Sequence, residues 1–267
     1  MLNERIITLV QGMNGNTSIL QIENLNYSIE QKQILHNISF DVKEGEFLSI
    51  LGPSGCGKTT ILRLLIGLLI PDSGKILKCG QDITQCHPSK RGMGIVFQNY
   101  ALFENMTAFE NIEYALKFNS KYKTRSKQIV NDLLSQMNLM EHADKKPVNL
   151  SGGQQQRVAI ARTLAVNPDI ILFDEPMSAL DVETRLILRK ELKELQNKYK
   201  NTMIYITHDQ EEAFAMSDRI MVMGKGIIHQ IDTPANLIHF PADEYVEQFV
   251  GRNLRLKVDS LLKHLDG

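Results

Sequence analysis

Hydrophobic and polar positions alternate with a period close to two along the first part of the chain. Between Ile19 and Val42, apolar residues recur largely at every second position, with polar residues between them. This alternation is typical of strands that bury one face, so the sequence predicts antiparallel strands here. Tyr27 lies in this stretch, and its pattern position predicts an aromatic on one strand face.

Four shorter apolar runs follow, each ending in a polar or glycine-rich segment. Such runs, separated by helical patterns, are typical of parallel strands buried on both faces. In open parallel sheets, ligands bind just beyond the carboxyl ends of the strands. The runs are residues 47–51, 94–97, 170–173 and 203–206. We expect the polar residues behind them to converge at one edge, namely Lys58, Gln98, Asp174, Glu175 and His208.

Helical patterns interrupt this series between the second and third runs. Thr107 and Glu110 have capping-box spacing, which predicts the start of a helix. A second helix is predicted from about residue 126 to residue 140, with an apolar stripe of Ile129, Leu133, Met137 and Met140. We expect these helices to form a subdomain inserted at about residues 99–160.

Residues 52–60 have the spacing of a phosphate-binding loop, between a strand-like run and a helical run. Glycines let successive backbone N–H groups point inward, and the helix start adds positive dipole. Lys58 would reach the outer phosphates and the Thr59 hydroxyl would hold Mg²⁺. The alternative, a glycine-rich turn with an incidental lysine, is disfavoured by the strand-to-helix context. The candidate phosphate-binding residues are Gly52, Pro53, Ser54, Gly55, Cys56, Gly57, Lys58, Thr59 and Thr60.

The strand-end residues have chemistry that suits a nucleotide. Asp174 would hold the Mg²⁺ shell, and Glu175 would orient or deprotonate an attacking water. Gln98 and His208 would contact the metal, the water and the outermost phosphate. An Asp-Glu pair alone is more often a strand-end turn, but the phosphate loop in the same chain favours the catalytic interpretation.

A second glycine-containing helix start lies at residues 150–157, before a strongly helical run. Ser151 as N-cap, followed by Gly152 and Gly153, would expose free N–H groups that can bind an anion. If the helical insertion holds this start away from Lys58, it must serve the nucleotide of another chain. From spacing alone, an ordinary glycine-softened helix start remains the alternative.

Composition narrows the possible partners. A formal net charge of -1 argues against nucleic acid, because phosphate-backbone binders usually carry a basic excess. The longest apolar-plus-glycine run, residues 64–70, is far shorter than the roughly twenty residues of a spanning helix. Among three cysteines and seven histidines we find no metal-binding spacing, so any metal should arrive with the nucleotide. No signal-peptide layout is present, so we expect a cytosolic location.

Together these motifs resemble the ATP-binding cassette (ABC) ATPases, over about residues 19–251. The Leu-Ser-Gly-Gly-Gln element is the specific one, since many unrelated nucleotidases share the phosphate loop. The matching segments are residues 52–59, 98, 150–154, 170–175, 178–181 and 208. The resemblance implies an α/β fold: a P-loop core with a mostly parallel sheet, an N-terminal antiparallel β subdomain and an inserted helical subdomain.

The resemblance also implies ATP and Mg²⁺ as ligands and a head-to-tail pair of chains around two ATPs. The helix start at residues 150–157, the signature start, would in one chain face the γ-phosphate bound by Lys58 of the other. Glu175 is similar to the catalytic base of the family and His208 to its switch histidine. Gln98 and Asp174 would complete the metal shell with Thr59. The nucleotide-binding residues added by the resemblance are Tyr27, which would stack on adenine, Ser151, Gly152, Gly153, Gln154 and Asp181, which would signal across the dimer.

Residues 88–103 resemble importer subunits for polyamines, ferric iron, phosphonates and related polar solutes. Those systems use a separate membrane permease and an extracytoplasmic solute-binding protein, which implies a peripheral motor subunit on the cytoplasmic face of the membrane. We expect the permease to dock near residues 101–106, an apolar stretch for a loop, although Leu102 and Phe103 could instead fill the subdomain core.

Two other classes of protein compete with this interpretation. Non-transport ABC proteins of translation or DNA repair usually carry two cassettes or a long coiled coil, and this chain has one cassette and no long heptad run. A monomeric kinase or GTPase switch would lack the Leu-Ser-Gly-Gly-Gln element. We expect a loose tail at residues 1–17 and only a short tail at residues 252–267, in place of the regulatory β-domain of longer members.

Overall fold

The structure is a computed structural model that describes residues 18–118, 122, 124–252 and 254–255. The predicted N-terminal tail and nearly all of the C-terminal tail lie outside these residues. Contacts divide the chain into two compact units: the first unit is residues 1–91 with 199–267, and the second unit is residues 92–198. The narrower helical subdomain at about residues 99–160 stays a prediction.

The described residues form strands and helices in the following order. The strands are β1 (Ser18–Ile29), β2 (Lys32–Lys43), β3 (Phe47–Leu51), β4 (Ser73–Lys78), β5 (Gln81–Asp82), β6 (Met93–Val96), β7 (Ile170–Asp174), β8 (Thr202–Thr207), β9 (Arg219–Gly224) and β10 (Ile227–Asp232). The helices are α1 (Lys58–Ile66), α2 (Ala108–Lys117), α3 (Ser126–Gln136), α4 (Gly152–Ala165), α5 (Val182–Tyr199), α6 (Gln210–Met216), α7 (Pro234–His239) and α8 (Glu244–Val246), which continues as a π-helical turn at Glu247–Arg252.

The alternating stretch forms an antiparallel sheet in the first unit, as predicted. Strand β1 lies between β2 and β4, and β5 pairs with β4, which gives the order β2-β1-β4-β5. Leu20, Ile22 and Leu25 of β1 are buried, as is Ile38 opposite Leu25. One face of this sheet is therefore core, which is what the period of two requires.

The continuous apolar runs form buried parallel strands, as predicted. In the first unit β3 pairs in parallel with both β8 and β9, and all residues of β3 and β8 are buried. In the second unit β6 pairs in parallel with β7. Among the described residues, no helix is both long and apolar enough to span a membrane. The predicted α/β fold class is confirmed.

Helix α3 is shorter than the sequence predicted. The capping box of α2 is present, with Thr107 and Glu110 bonded reciprocally. Helix α3, however, ends at Gln136, because Asn138 adopts a left-handed φ of 54° and the Leu139 N–H turns back to the Leu134 carbonyl. Met140 therefore leaves the predicted apolar stripe and is 51% exposed.

Arg91 anchors the carboxyl end of α1 in the first unit. Its side chain is buried, and its guanidinium donates to the carbonyl oxygens of Leu64, Leu65, Thr84 and Cys86 at 2.8 to 3.0 Å. Burial lowers the pKa of Arg91. The negative end of the α1 dipole offsets part of that cost. Arg91 thus fixes the carboxyl end of the helix that follows the phosphate loop.

Candidate functional site

The phosphate loop joins β3 to α1, which begins at Lys58. Gly57 is its N-cap with φ 104°, a conformation that L side chains rarely adopt, and no side chain caps the helix start. A Cβ on Gly57 would also lie 2.6 Å from Leu35 Cδ2, so both backbone and space require glycine there. A helix start without a side-chain cap suits an anion, because its N–H groups and dipole point toward the ligand.

The Lys58 side chain folds back over this loop. It is 5% exposed, and Nζ donates to the carbonyl oxygens of Gly52 at 2.8 Å and Pro53 at 3.0 Å. Phosphate oxygens are stronger acceptors for an ammonium group than neutral carbonyls are. The ammonium is therefore already at the loop and can exchange these carbonyls for phosphate. Thr59 and Thr60 follow in the first helical turn with half-buried side chains.

Cys56 differs from its neighbours in the loop. Pro53, Ser54 and Gly55 are exposed, whereas Cys56 is 4% exposed, with Sγ only 2.8 Å from the position of a Cβ on Gly52. Sequence analysis placed Cys56 where phosphate would bind, and a reactive thiol would be expected at such a helix start. Modification of this thiol stays a prediction, and its burial indicates that a reagent would reach the sulfur slowly while the loop keeps this conformation.

Tyr27 belongs to the first unit, as the phosphate loop does. It is half-buried on β1, directly opposite Leu35 of β2, and Leu35 is the residue that packs against Gly57. Leu35 therefore contacts the phosphate loop from β2, the strand that pairs with β1. The assignment of Tyr27 to adenine stays a prediction.

His208 lies on the tight turn between β8 and α6, and its side chain is exposed. The turn is fixed by Asp209, which caps α6 by accepting from the N–H groups of Glu211 and Glu212. The Glu212 carboxylate is buried and accepts hydrogen bonds from the Thr207 hydroxyl and the Tyr205 hydroxyl, each at 2.8 Å. Sequence analysis missed Glu212; its signal was an acid in the first turn of the helix after a buried strand.

Asp174 ends β7 in the second unit and Glu175 follows it directly, and both are half-buried. Glu175 has a left-handed φ of 45°, which is uncommon for a residue with a side chain. Its carbonyl oxygen accepts from the Ser178 N–H at 3.3 Å and from the Ser178 hydroxyl at 3.0 Å. Strained backbone of this kind persists where surrounding contacts hold it, and it is concentrated at functional sites.

Gln98 is exposed two residues beyond the end of β6. Its Nε2 donates to the Ser178 hydroxyl at 3.1 Å, so one serine contacts both the Gln98 side chain and the Glu175 backbone. Gln98 and Glu175, which are 77 positions apart by their numbers, thus share a partner within the second unit. Sequence analysis included Ser178 only as part of the segment 178–181 and gave it no role.

The loop behind Gln98 is held by Arg162 of α4. Tyr100 and Ala101 both have left-handed φ values, 61° and 46°, and their carbonyl oxygens accept from the Arg162 guanidinium at 2.9 and 2.7 Å. The same guanidinium lies over the Phe103 ring, 5.7 Å from its centroid. Burial lowers the pKa of Arg162. An arginine inside the apolar run of a helix was the sequence signal for this contact.

The start of α4 has the predicted N-cap and also a complete capping box. The Ser151 side chain accepts from the Gln154 N–H at 3.3 Å, and the Gln154 side chain accepts from the Ser151 N–H at 2.9 Å. Gly153 is packed so closely that a Cβ would lie 2.7 Å from the Thr184 methyl carbon. Ser151 and Gly152 are exposed, so this start is open to a ligand from outside the chain.

Asp181 caps the start of α5. Its carboxylate accepts from the Thr184 N–H at 2.9 Å and the Thr184 hydroxyl at 2.7 Å. These bonds, that from the backbone first, hold the pKa of Asp181 below its ordinary value. The exposed carboxylate thus has a local role in capping, and signalling across a dimer stays a prediction.

The predicted site residues are distributed over both units. Tyr27, the phosphate loop and His208 belong to the first unit, and Gln98, the signature start, Asp174, Glu175 and Asp181 belong to the second. Tyr27 lies within β1, and the other predicted residues lie at or just beyond strand ends and at helix starts. The convergence of all five strand-end residues at one edge stays a prediction.

The fold and its loop define the class: an α/β protein with a P-loop. A model of the ABC transporter family matches residues 35–178, more than half of the chain. The chain belongs to this family, and the resemblance set out above is confirmed. A solved structure supports the fold at 34% identity and a TM-score of 0.71, covering 80% of this chain and 98% of the other; it is a dimeric ATP-binding cassette in a post-hydrolysis state, bound to ADP and phosphate.

Curated relatives include import proteins for different solutes. The spermidine/putrescine import ATP-binding protein of Thermotoga maritima is 46% identical over 90% of this chain and 65% of its own length. The spermidine/putrescine import ATP-binding protein of Marinobacter nauticus is 44% identical over 88% and 63%. The sulfate/thiosulfate import ATP-binding protein of Pectobacterium atrosepticum is 45% identical over 90% and 74%. The chain thus spans slightly less than two thirds of the length of the first two.

Proposed function

We propose that this protein is the ATP-hydrolysing motor subunit of an ABC importer. The observation that carries the proposal is the pair of helix starts in one chain: a loop with Lys58 that lacks a side-chain cap, and an exposed signature start at Ser151. The names of the relatives support import rather than the alternative of translation or DNA repair. The solute is a small polar molecule, and relatives at nearly equal identity carry either polyamines or sulfate, so the cassette does not specify which.

ATP would bind with its phosphates at the first helix start. Lys58 would exchange the carbonyl oxygens of Gly52 and Pro53 for phosphate oxygens, and the loop from Pro53 to Thr60 would supply N–H groups and hydroxyls. Tyr27, opposite Leu35, would stack on the adenine ring.

The residues proposed for Mg²⁺ fit that ion by their chemistry. Thr59, Gln98 and Asp174 offer a hydroxyl, an amide carbonyl and a carboxylate, and Mg²⁺ prefers oxygen ligands. Within the described ranges, no group of three or more His, Cys, Asp or Glu side chains could hold a metal alone. The ion would therefore take further ligands from the ATP phosphates, and it would neutralise the charge that develops on them.

Glu175 would act on the attacking water as general base, a role worth about 10²- to 10⁴-fold in rate. Its backbone, with a left-handed φ, lies directly after the end of β7. His208 would contact the outermost phosphate from the turn that Glu212 and Asp209 hold rigid. Gln98 would contact the metal and the water.

A second copy of the chain would complete each site. Ser151, Gly152, Gly153 and Gln154 of one copy would face the γ-phosphate bound by Lys58 of the other, and Asp181 would signal between the two sites. The exposure of Ser151 and Gly152 supports this, because the nucleotide of a second copy can reach an exposed helix start.

The permease would dock at residues 101–106 in the second unit. Phe103 is 37% exposed, and its ring centroid lies 4.6 Å from that of Tyr114 in a tilted contact. The Tyr114 ring in turn meets the exposed Phe118 edge to face, with centroids 5.1 Å apart. An exposed aromatic row suits a helix from an integral-membrane partner. The solute-binding protein would act through the permease, at the outer face of the membrane. The motor would sit peripherally at the cytoplasmic face, and its near-neutral charge of -1 favours no nucleic-acid partner.

The proposal is tested by the concentration dependence of hydrolysis. Because each complete site needs two chains, the specific activity of purified protein with MgATP should rise with protein concentration across the low micromolar range. Lys75→Ala, which removes an exposed lysine of the same unit, serves as the matched control for Lys58→Ala. A monomeric protein whose specific activity does not change on dilution would contradict the two-chain site, and no hydrolysis at any concentration would contradict the motor.

A further inference from the structure

Ser178 contacts two of the proposed catalytic residues and has no assigned role. Its Oγ lies 3.0 Å from the Glu175 carbonyl oxygen and 3.1 Å from Gln98 Nε2. All three residues belong to the second unit, and the contacts join the ends of two paired strands, β6 and β7. The serine follows Glu175 by three residues, so its position is set by the same turn.

The protons in this arrangement can be assigned from chemistry alone. A backbone carbonyl is only an acceptor, so the contact with the Glu175 oxygen requires the Ser178 hydroxyl to donate its one proton there. The hydroxyl then has only lone pairs left for Gln98. A partner that faces those lone pairs must donate, and of the two ends of the Gln98 amide only the NH₂ group can do so.

This assignment decides which end of Gln98 is available to a metal. With the NH₂ group held by Ser178, the carbonyl oxygen is the end that remains for coordination. Mg²⁺ requires that oxygen, because the lone pair of the amide nitrogen is delocalised into the carbonyl group and does not bind a cation. If the amide were rotated by half a turn, its nitrogen would face the ion and its oxygen would face the serine oxygen.

We infer that Ser178 is a positioning residue that fixes the orientation of the Gln98 amide, so that its oxygen faces the Mg²⁺ of the bound nucleotide. The inference rests on the proposed function, since it needs the metal and the nucleotide. The Ser178 hydroxyl touches neither of them; it acts through Gln98. Glu175 contributes to this orientation, because its carbonyl oxygen accepts the hydrogen bond from the Ser178 hydroxyl.

The test measures metal affinity rather than activity. Mn²⁺ replaces Mg²⁺, the protein is saturated with a non-hydrolysable ATP analogue, and free Mn²⁺ is followed by electron paramagnetic resonance. Ser178→Ala should raise the apparent Kd for Mn²⁺ about 3- to 10-fold, the effect of one oriented hydrogen bond. Ser178→Thr, which keeps the hydroxyl, should restore the wild-type value. Binding of the analogue in EDTA should be unchanged in all variants, since it depends on the loop around Lys58.

A double-mutant cycle separates positioning from a general structural role. If Ser178 acts through Gln98, Ser178→Ala should have no further effect on Mn²⁺ affinity in a Gln98→Ala protein. An additive loss in the double variant, or wild-type Mn²⁺ affinity in Ser178→Ala, would overturn the inference and leave the proposed function standing. Failure of the wild-type protein to bind the analogue even with metal would overturn the proposed function itself.

Discussion

The two glycine-rich helix starts differ in how they are satisfied. Helix α1 begins behind Gly57 with no side-chain cap, and Lys58 already lies over the loop. Helix α4 begins behind Ser151 with a complete capping box and an exposed surface. The first start has no side-chain cap, whereas two N–H groups of the second, those of Ser151 and Gln154, are bonded by its own side chains. Similar local sequences thus give one site that should bind nucleotide in a single chain and one that should act only when a partner brings a phosphate.

The largest effect is expected at the open start. Lys58→Ala removes the ammonium that would replace the carbonyl contacts with phosphate contacts, so MgATP binding should fall below detection in isothermal titration. Lys75→Ala should bind as wild type does. Retained binding in Lys58→Ala would mean that the two starts do not differ in the way described here.

A backbone variant of the first start and a cap variant of the second should both lower stability, but only the first should weaken nucleotide binding by the single chain. Gly57→Ala forces a side chain into a φ of 104° and against Leu35, which should cost about 1–3 kcal/mol of stability and also weaken nucleotide binding. Ser151→Ala loses a cap worth about 1 kcal/mol but should leave nucleotide binding by the single chain intact.

Thr107→Ala is the matched control for the Ser151 variant, because it breaks the other capping box of the second unit. Both changes should lower the free energy of unfolding in urea by similar amounts, and only Ser151→Ala should weaken the ATP-dependent pairing of chains. Equal pairing in the two variants would remove the functional distinction of the α4 start.

The smallest effect concerns Cys56 and the preformed state of the loop. Because Cys56 is buried and Cys79 is exposed, maleimide should label Cys79 first and Cys56 slowly even without nucleotide. MgATP should add only a modest further protection. Mass spectrometry of tryptic peptides gives the order of labelling; fast labelling of Cys56 without nucleotide would mean that the loop opens before ATP arrives.

The features that could be predicted from the sequence are those that depend on consecutive residues. The strand, loop and helix around Lys58, the capping box at Thr107, the N-cap at Ser151 and the parallel strands all follow from local patterns. Sequence reasoning failed where a side-chain direction or a backbone angle decides. Met140 is not part of the apolar stripe because Asn138 turns the chain before it. Cys56 is buried, whereas its neighbours in the loop are exposed. The link from Gln98 through Ser178 to Glu175 depends on which strands pair, and no local pattern states that.

The two helix starts are expected to work in different copies of the chain. Glu175→Gln removes the proposed base, so hydrolysis should fall about 10²- to 10⁴-fold while MgATP still binds. The amide also removes a negative charge that would repel the γ-phosphate, so the ATP-bound pair should accumulate. Glu183→Gln, an exposed acid nearby on α5, is the matched control and should hydrolyse ATP normally.

The ATP-dependent pairing of two chains is tested most directly by the mass of Glu175→Gln, measured by size exclusion with light scattering in MgATP and in MgADP. We expect the mass of two chains with MgATP and of one chain with MgADP. Adding Ser151→Ala to the same protein should shift the MgATP sample back toward one chain. If a protein that binds MgATP has the mass of one chain in both nucleotides, the two helix starts do not work in different copies of the chain.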